Sequence, residues 1–219
     1  MWHPGQPRPL DPARVDVWHV DLDVWANAEI ALSPVELERE AQYGNALLAA
    51  RYAASRRALR SLLGCYLALP AEAIRFETSA RGKPALSVPE RPEAPAFNVS
   101  HTGGIALIAV AQGQRVGVDI ERIRPGVDVL AVAARVLGSE VARALSALSE
   151  PEQTAGFFAA WTRHEAVIKG AGEGLARAAL ALPATWKVVD LDVGSAHRAA
   201  LAHERDDVQI WCASWEPPA

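Results

Sequence analysis

Cysteine is scarce in this 219-residue chain, which carries only Cys65 and Cys212. Two are too few for a disulfide framework and lack the paired spacing of a zinc site, so each is expected to serve as a small buried hydrophobe. Lysine is almost as rare: Lys83, Lys169 and Lys187 are the only three among 22 basic residues. No apolar run approaches the roughly 18–20 residues of a membrane span. The opening Met1-Trp2-His3-Pro4-Gly5-Gln6-Pro7 also lacks the charged-then-apolar order of a signal peptide, so a soluble, cytoplasmic protein with no membrane association is expected. There is no basic excess either. A net charge of −4 argues against general nucleic-acid binding, which needs a basic field to neutralise phosphates. The Gly-x-x-x-x-Gly-Lys-Ser/Thr loop and the Rossmann glycine fingerprint are both missing, which leaves the usual nucleotide-binding folds unsupported.

What is present suits a folded chain with a substantial core: 50% hydrophobic and 22% charged residues, with mean hydropathy +0.04. The length allows one large domain or two small ones. Residues 1–115 hold 12 basic and 12 acidic side chains and residues 116–219 hold 10 and 14, so the acidic excess lies in the second half. In the balanced half, Arg51, Arg56, Arg57 and Arg60 stand together with no carboxylate between them, which reads as a local anion site.

Alternation predicts a strand over Asp16–Val24. Ser33-Pro34 followed by Glu36 reads as a helix start, with helix to about Leu69 and a break near Gly44-Asn45. Short extended pieces follow at Ile74–Glu77 and Pro84–Val88 around a turn at Ala80-Arg81-Gly82, then a proline-rich loop from Pro89 to Pro95. Phe97–His101, Ile105–Ala111 and Val116–Glu121 read as strands, Val127–Leu148 and Glu152–Gly170 as helices, and Trp186–Val193 and Val208–Trp215 as strands. Laid over each other at an offset of 109, the two long helical stretches place Tyr52 on Trp161, Arg56 on Glu165, Leu59 on Ile168 and Arg60 on Lys169. Either an internal duplication or coincidence in an alanine-rich chain produces such a match. If it is a duplication, the polar faces of the two helices are expected to meet at one cleft.

Asp119 and Glu121 lie two apart on a predicted strand, so both carboxylates leave the same face, a geometry for sharing a cation. Glu165 lies on a helix with Trp161 and Lys169 four residues to either side, a face mixing an aromatic, an acid and a base. Glu165 and Lys169 also fit an ordinary i,i+4 salt pair. Three hard oxygen donors without a nearby His or Cys favour magnesium over zinc. Lys83, between Gly82 and Pro84, is a constrained cation suited to a phosphate or a solvated turn lysine. Ser100 and His101 end an apolar strand; as neighbours they face opposite ways, so anion or ribose contact is a better reading than a catalytic pair.

Together these residues resemble the 4′-phosphopantetheinyl transferases of the larger, surfactin-synthetase-activating type. The resemblance is carried by Gly82-Lys83-Pro84, Phe97-Asn98-Val99-Ser100-His101-Thr102-Gly103, Val116-Gly117-Val118-Asp119-Ile120-Glu121, and Trp161-Thr162-Arg163-His164-Glu165-Ala166 with Lys169 and Gly172-Glu173-Gly174-Leu175. It covers about residues 50–175. It implies an α+β fold, a pseudo-dimer of two similar subdomains (1–113 and 114–219, the second holding the metal ligands), with the active site in the cleft between them and the chain monomeric. It also implies that coenzyme A binds there with Mg2+ on its pyrophosphate. The phosphopantetheine arm passes to a serine of an apo acyl or peptidyl carrier protein, releasing adenosine 3′,5′-bisphosphate. By position, Asp119, Glu121 and Glu165 resemble the metal ligands, with Glu165 also helping to deprotonate the serine, and Lys169 resembles the phosphate contact. Asp119, Glu165 and Lys169 thus form the catalytic set. Arg51, Arg56, Gly82, Lys83, Pro84, Ser100 and His101 resemble the coenzyme A contacts. His164 departs from the family, which often has a lysine or arginine there, and a neutral imidazole is expected to weaken one phosphate contact. Gln42-Tyr43-Gly44-Asn45-Ala46 lacks the basic residues expected ahead of the coenzyme site. Two other readings stand beside this one: a magnesium-dependent phosphodiester hydrolase using the same acids, and a non-catalytic carrier-binding module.

Overall fold

A computed structural model describes residues 2–78, 84–87, 94–172 and 185–218. Strand β1 (Arg14–Asp21) leads into a short helix α1 (Leu22–Trp25). The strand expected to run to Val24 ends early because the Asp21 carboxylate accepts the amides of Asp23 and Val24 and caps the helix. Helix α2 (Pro34–Ala41) starts in a capping box between Ser33 and Glu36. The break near Gly44-Asn45 separates it from α3 (Ala46–Leu67), which Asn45 caps. A short hairpin, β2 (Phe76–Thr78) with β3 (Pro84–Leu86), precedes β4 (Ala96–Thr102), β5 (Ile105–Ala111) and β6 (Val116–Arg122). The turn at 80–82 and most of the proline-rich loop lie outside the described residues.

The helix expected over Val127–Leu148 is two helices, α4 (Val129–Val136) and α5 (Ser139–Ser146). Gly138 divides them at φ +97°, a conformation other residues rarely adopt. Helix α6 (Glu150–Ala171) follows, then β7 (Lys187–Leu191), β8 (His197–His203) and β9 (Gln209–Ser214). No alternation foretells β8, whose Ala199-Ala200-Leu201-Ala202 has little intrinsic strand preference. Its position makes it a strand. It pairs antiparallel on both sides, with β6 and with β7, and its alanines fit where apolar layers press from both faces.

Beside the β2-β3 hairpin, the described residues form two larger sheets, in the orders β4-β5-β1-β9 and β6-β8-β7. Strand β9 joins the first sheet by pairing parallel to β1, so the end of the chain returns to the half where it began. One face of the first sheet, with Trp18, Val20, Ile108 and Val110, packs on Leu59, Leu62 and Leu63 of α3. The other face, with Val17, Leu107 and Ala109, packs on Val116, Val118, Ile120 and Leu201 of the second sheet. Helix α6 covers the far side of the second sheet through Ala166 and Val167 against Ala200 and Ala202. The layers therefore run α3, first sheet, second sheet, α6, an α+β architecture in which each sheet carries one 22-residue helix on its outer face. The two helices do not pack polar face to polar face, as the helix match suggested, because both sheets stand between them.

Both cysteines are exposed, not buried: Cys65 faces out from α3, and Cys212 lies on the edge strand β9. The arginine cluster is not without counterions either. Carboxylates reach it from other elements, which residue order alone does not show. Glu36 of α2 accepts Arg56 Nε at 2.7 Å and Arg60 Nε at 2.8 Å, and Asp23 accepts Arg51 Nε at 3.1 Å. Arg57 donates to the carbonyls of Ala26 and Ile30. Arg60 is 2% exposed and also donates to the carbonyls of Ala71 and Ile74, so it is a core fastener.

Burial pushes the Glu36 carboxyl up, but the bonds from Arg60 and from the Ser33 amide and the charge of Arg56 outweigh it and hold the group at about 2. A carboxyl pKa lowered on folding stabilises the protein above its unfolded value, near 4.5, and that contribution disappears as pH falls toward 2. Glu36→Gln is expected to cost about 3 kcal/mol at pH 7, since Arg60 keeps its charge in the core without a counterion. In urea titrations the gap between wild type and variant should close between pH 4.5 and 2. A gap that stays constant across that range would show that the charge of Glu36 contributes nothing.

Candidate active site

The site is built where β6 meets α6. Gly117, Asp119 and Glu121 share the face of β6 that looks at α6, while Val116, Val118 and Ile120 point into the apolar layer between the sheets. A Cβ on Gly117 would lie 2.0 Å from the carbonyl oxygen of Ala166 and 2.4 Å from the amide of Gly170. Only glycine lets the helix backbone come so near. That approach brings Lys169 over Asp119, Nζ to Oδ1 at 2.6 Å, with Glu165 one turn back on the same helix. Lys169 thus reaches across to the strand, where the sequence also allowed a simple pairing along the helix with Glu165.

Ser100 of β4 completes the junction. Its hydroxyl donates to Asp119 Oδ1 at 2.8 Å and accepts from Lys169 Nζ at 2.9 Å and from the amide of Ile120 at 3.3 Å. One donor and two lone pairs are then all used. Asp119 and Glu165 are 3% and 5% exposed, and among the described residues Asp119 Oδ2 and Glu165 Oε1 have no hydrogen-bond partner. Buried carboxylate oxygens left bare are costly unless positive charge comes to them. The electrostatics agree. Burial and then the charge of Asp119 push the Glu165 carboxyl above its usual range, with Lys169 opposing. Burial and then Asp119 likewise raise Glu121, against Arg124, Lys169 and a hydrogen bond from Thr102. Three mutually repelling acids, two of them with bare oxygens, are hard donors of the kind a divalent cation takes. Among the described residues, however, no three acids, histidines or cysteines already stand as a finished coordination shell.

His101 sits at the end of the same strand, its pKa lowered by desolvation of the ring and then by the charge of Lys169. Arg51 lies at the neighbouring turn, where its guanidinium and Asp23 flank Gly104. Arg56 lies farther along α3, over the Phe76 ring at 4.2 Å. Pro84 opens β3, whereas Gly82 and Lys83 fall outside the described residues. His164 is buried within α6, and Arg163 turns away to pair with Asp190 of β7. Three functional features escaped the sequence reading: Gly117 as the point of helix contact, and Asn98 and Thr102 beside Ser100. For the last two the signal is a period-2 run of small polar residues, Asn98, Ser100 and Thr102, alternating with Phe97, Val99 and His101.

Comparison with known proteins identifies the family. A family model described as the 4′-phosphopantetheinyl transferase superfamily matches residues 115–215, and one for the N-terminal part of 4′-phosphopantetheinyl transferases matches residues 16–113. The 4′-phosphopantetheinyl transferase HetI of Nostoc sp. is 32% identical over 181 residues, 80% of this chain and 76% of that protein. The human L-aminoadipate-semialdehyde dehydrogenase-phosphopantetheinyl transferase is 29% identical over 189 residues, 83% of this chain and 61% of the human one. A 4′-phosphopantetheinyl transferase of Bacillus pumilus is 37% identical over 119 residues, 53% of this chain and 48% of its own length. These relatives define the class as a transferase acting on coenzyme A. The chain belongs to the 4′-phosphopantetheinyl transferase superfamily, whose members move the phosphopantetheine arm of coenzyme A to carrier proteins.

Proposed function

We propose that this chain is a magnesium-dependent phosphopantetheinyl transferase of the surfactin-synthetase-activating type. In this reading it is a cytoplasmic monomer of two subdomains divided at residues 113 and 114, with β9 returning to the first. The observation that carries the reading is the pair of bare buried oxygens on Asp119 and Glu165 beside Lys169, with Glu121 on the same face of β6 as Asp119. Asp119, Glu121 and Glu165 would hold Mg2+, which when bound neutralises the pyrophosphate of coenzyme A and the charge that develops on the leaving phosphate. Lys169, held by Asp119 and Ser100, is a fixed cation for a phosphate oxygen. Glu165, with its pKa raised, is suited to take the proton of the attacking carrier serine.

Arg51, His101 and Lys83 would bind coenzyme A, together with Gly82 and Pro84. Ser100 belongs to the same site. Arg56 already serves Glu36, so its contact with the 3′-phosphate is tested directly: Arg56→Ala should raise KM for coenzyme A more than for dephospho-coenzyme A, and equal effects would remove it from the site. Transfer itself is tested by incubating the protein with coenzyme A, Mg2+ and apo acyl or peptidyl carrier proteins and reading intact mass. Gain of the phosphopantetheine mass supports the reading. Hydrolysis of coenzyme A without an acceptor would favour a hydrolase instead.

A further inference from the structure

The open edge of β6 is closed by side chains of β4 and not by another strand. Strand β6 is the outer member of the second sheet, and its amides at Val118, Ile120 and Arg122 point away from β8. Asn98 Oδ1 accepts the Val118 amide at 2.9 Å, Ser100 Oγ the Ile120 amide at 3.3 Å, and Thr102 Oγ1 the Arg122 amide at 3.3 Å. Donor and acceptor are 20 residues apart in each of the three, a register as regular as a backbone ladder.

The Ser100 hydroxyl also acts in a second way. Ser100 accepts from residue 120 and donates to the carboxylate of residue 119. Thr102 accepts from residue 122, the residue that follows the second acid, Glu121. Asn98, on the third rung, accepts from residue 118, and the residue before that is Gly117, with no side chain to hold. Ser100 therefore fixes the strand backbone and the adjacent acid at once and leaves Asp119 Oδ2 bare, and Thr102 stands in the same register beside Glu121.

We propose that Ser100 and Thr102, aligned by the Asn98 rung, are positioning residues that orient the carboxylates of Asp119 and Glu121 toward a shared divalent cation. The inference rests on the transferase reading but has its own measurement. A side-chain ladder fits this task better than a paired strand, because a paired backbone would satisfy the amides while leaving both acids free to rotate.

The test compares Ser100→Ala, Thr102→Val and the hydroxyl-retaining Thr102→Ser with wild type. Mn2+ affinity is measured by calorimetry with coenzyme A present, alongside kcat and KM for coenzyme A. Removing the hydroxyl is expected to weaken Mn2+ binding and lower kcat by about tenfold in Thr102→Val, and by more in Ser100→Ala, where Asp119 and Lys169 both lose a partner. KM for coenzyme A should change less than threefold, by the argument that these groups act through the acids. Thr102→Ser should match wild type. Unchanged Mn2+ affinity in both hydroxyl-deleting variants would overturn the proposal, whatever the thermal midpoint does. So would a raised KM at unchanged kcat, which would make the hydroxyls direct coenzyme A contacts. A wild type that binds Mn2+ but modifies no carrier defeats the transferase reading, and the Mn2+ comparison then still decides the role of the hydroxyls.

Discussion

Gly117→Ala is expected to lower stability by about 3 kcal/mol and to reduce carrier modification by about a hundredfold. The added Cβ meets two backbone atoms of α6, the Ala166 carbonyl and the Gly170 amide, and neither can rotate away as a side-chain tip would. Helix α6 must lift or tilt, and it carries Glu165 and Lys169 against Asp119. The tight fit continues on the other side, because a Cβ on Gly170 would lie 2.6 Å from the Trp186 ring. Urea unfolding measures the first effect and carrier mass shift the second. Wild-type values for both would mean that the helix is held elsewhere and that Gly117 is incidental.

Glu165→Gln is expected to lower kcat by about 10²–10⁴-fold while coenzyme A still binds. Glutamine keeps the volume and one oxygen in a site that is 5% exposed, so packing survives. It removes a charge that burial and Asp119 both disfavour, so the variant should be no less stable than wild type. What is lost is the ability to accept the serine proton and one negative donor for a cation. Calorimetry should show coenzyme A binding with weaker dependence on Mg2+ while carrier modification nearly stops. An unchanged kcat would make Glu165 a structural acid and leave the proton to another group.

Much of the site was legible before the fold was known, and particular residues show why. The two-residue spacing of Asp119 and Glu121 places them on one face whatever the surroundings, since strand geometry alone dictates it. The four-residue spacing of Glu165 and Lys169 does the same on a helix. The Ser33 to Glu36 start of α2 was equally plain, because a capping box is local. Arg56 and Arg60 show the limit. Nothing near them in sequence is acidic, yet Glu36 lies between them in space, about 20 residues away along the chain. The alanines of β8 show it too, since their strand form comes from neighbours on both sides.

The sequence by itself determined the elements with strong local period or caps, the faces on which the acids stand and the family resemblance. These depend on interactions within a few residues, which chain order encodes directly. Tertiary structure alone decided which charges meet. It gave Lys169 to Asp119, Glu36 to two arginines and the amides of β6 to the side chains of β4. Each of these pairings joins segments at least 20 residues apart, and packing of apolar layers brings such segments together without leaving a mark in either segment's own pattern.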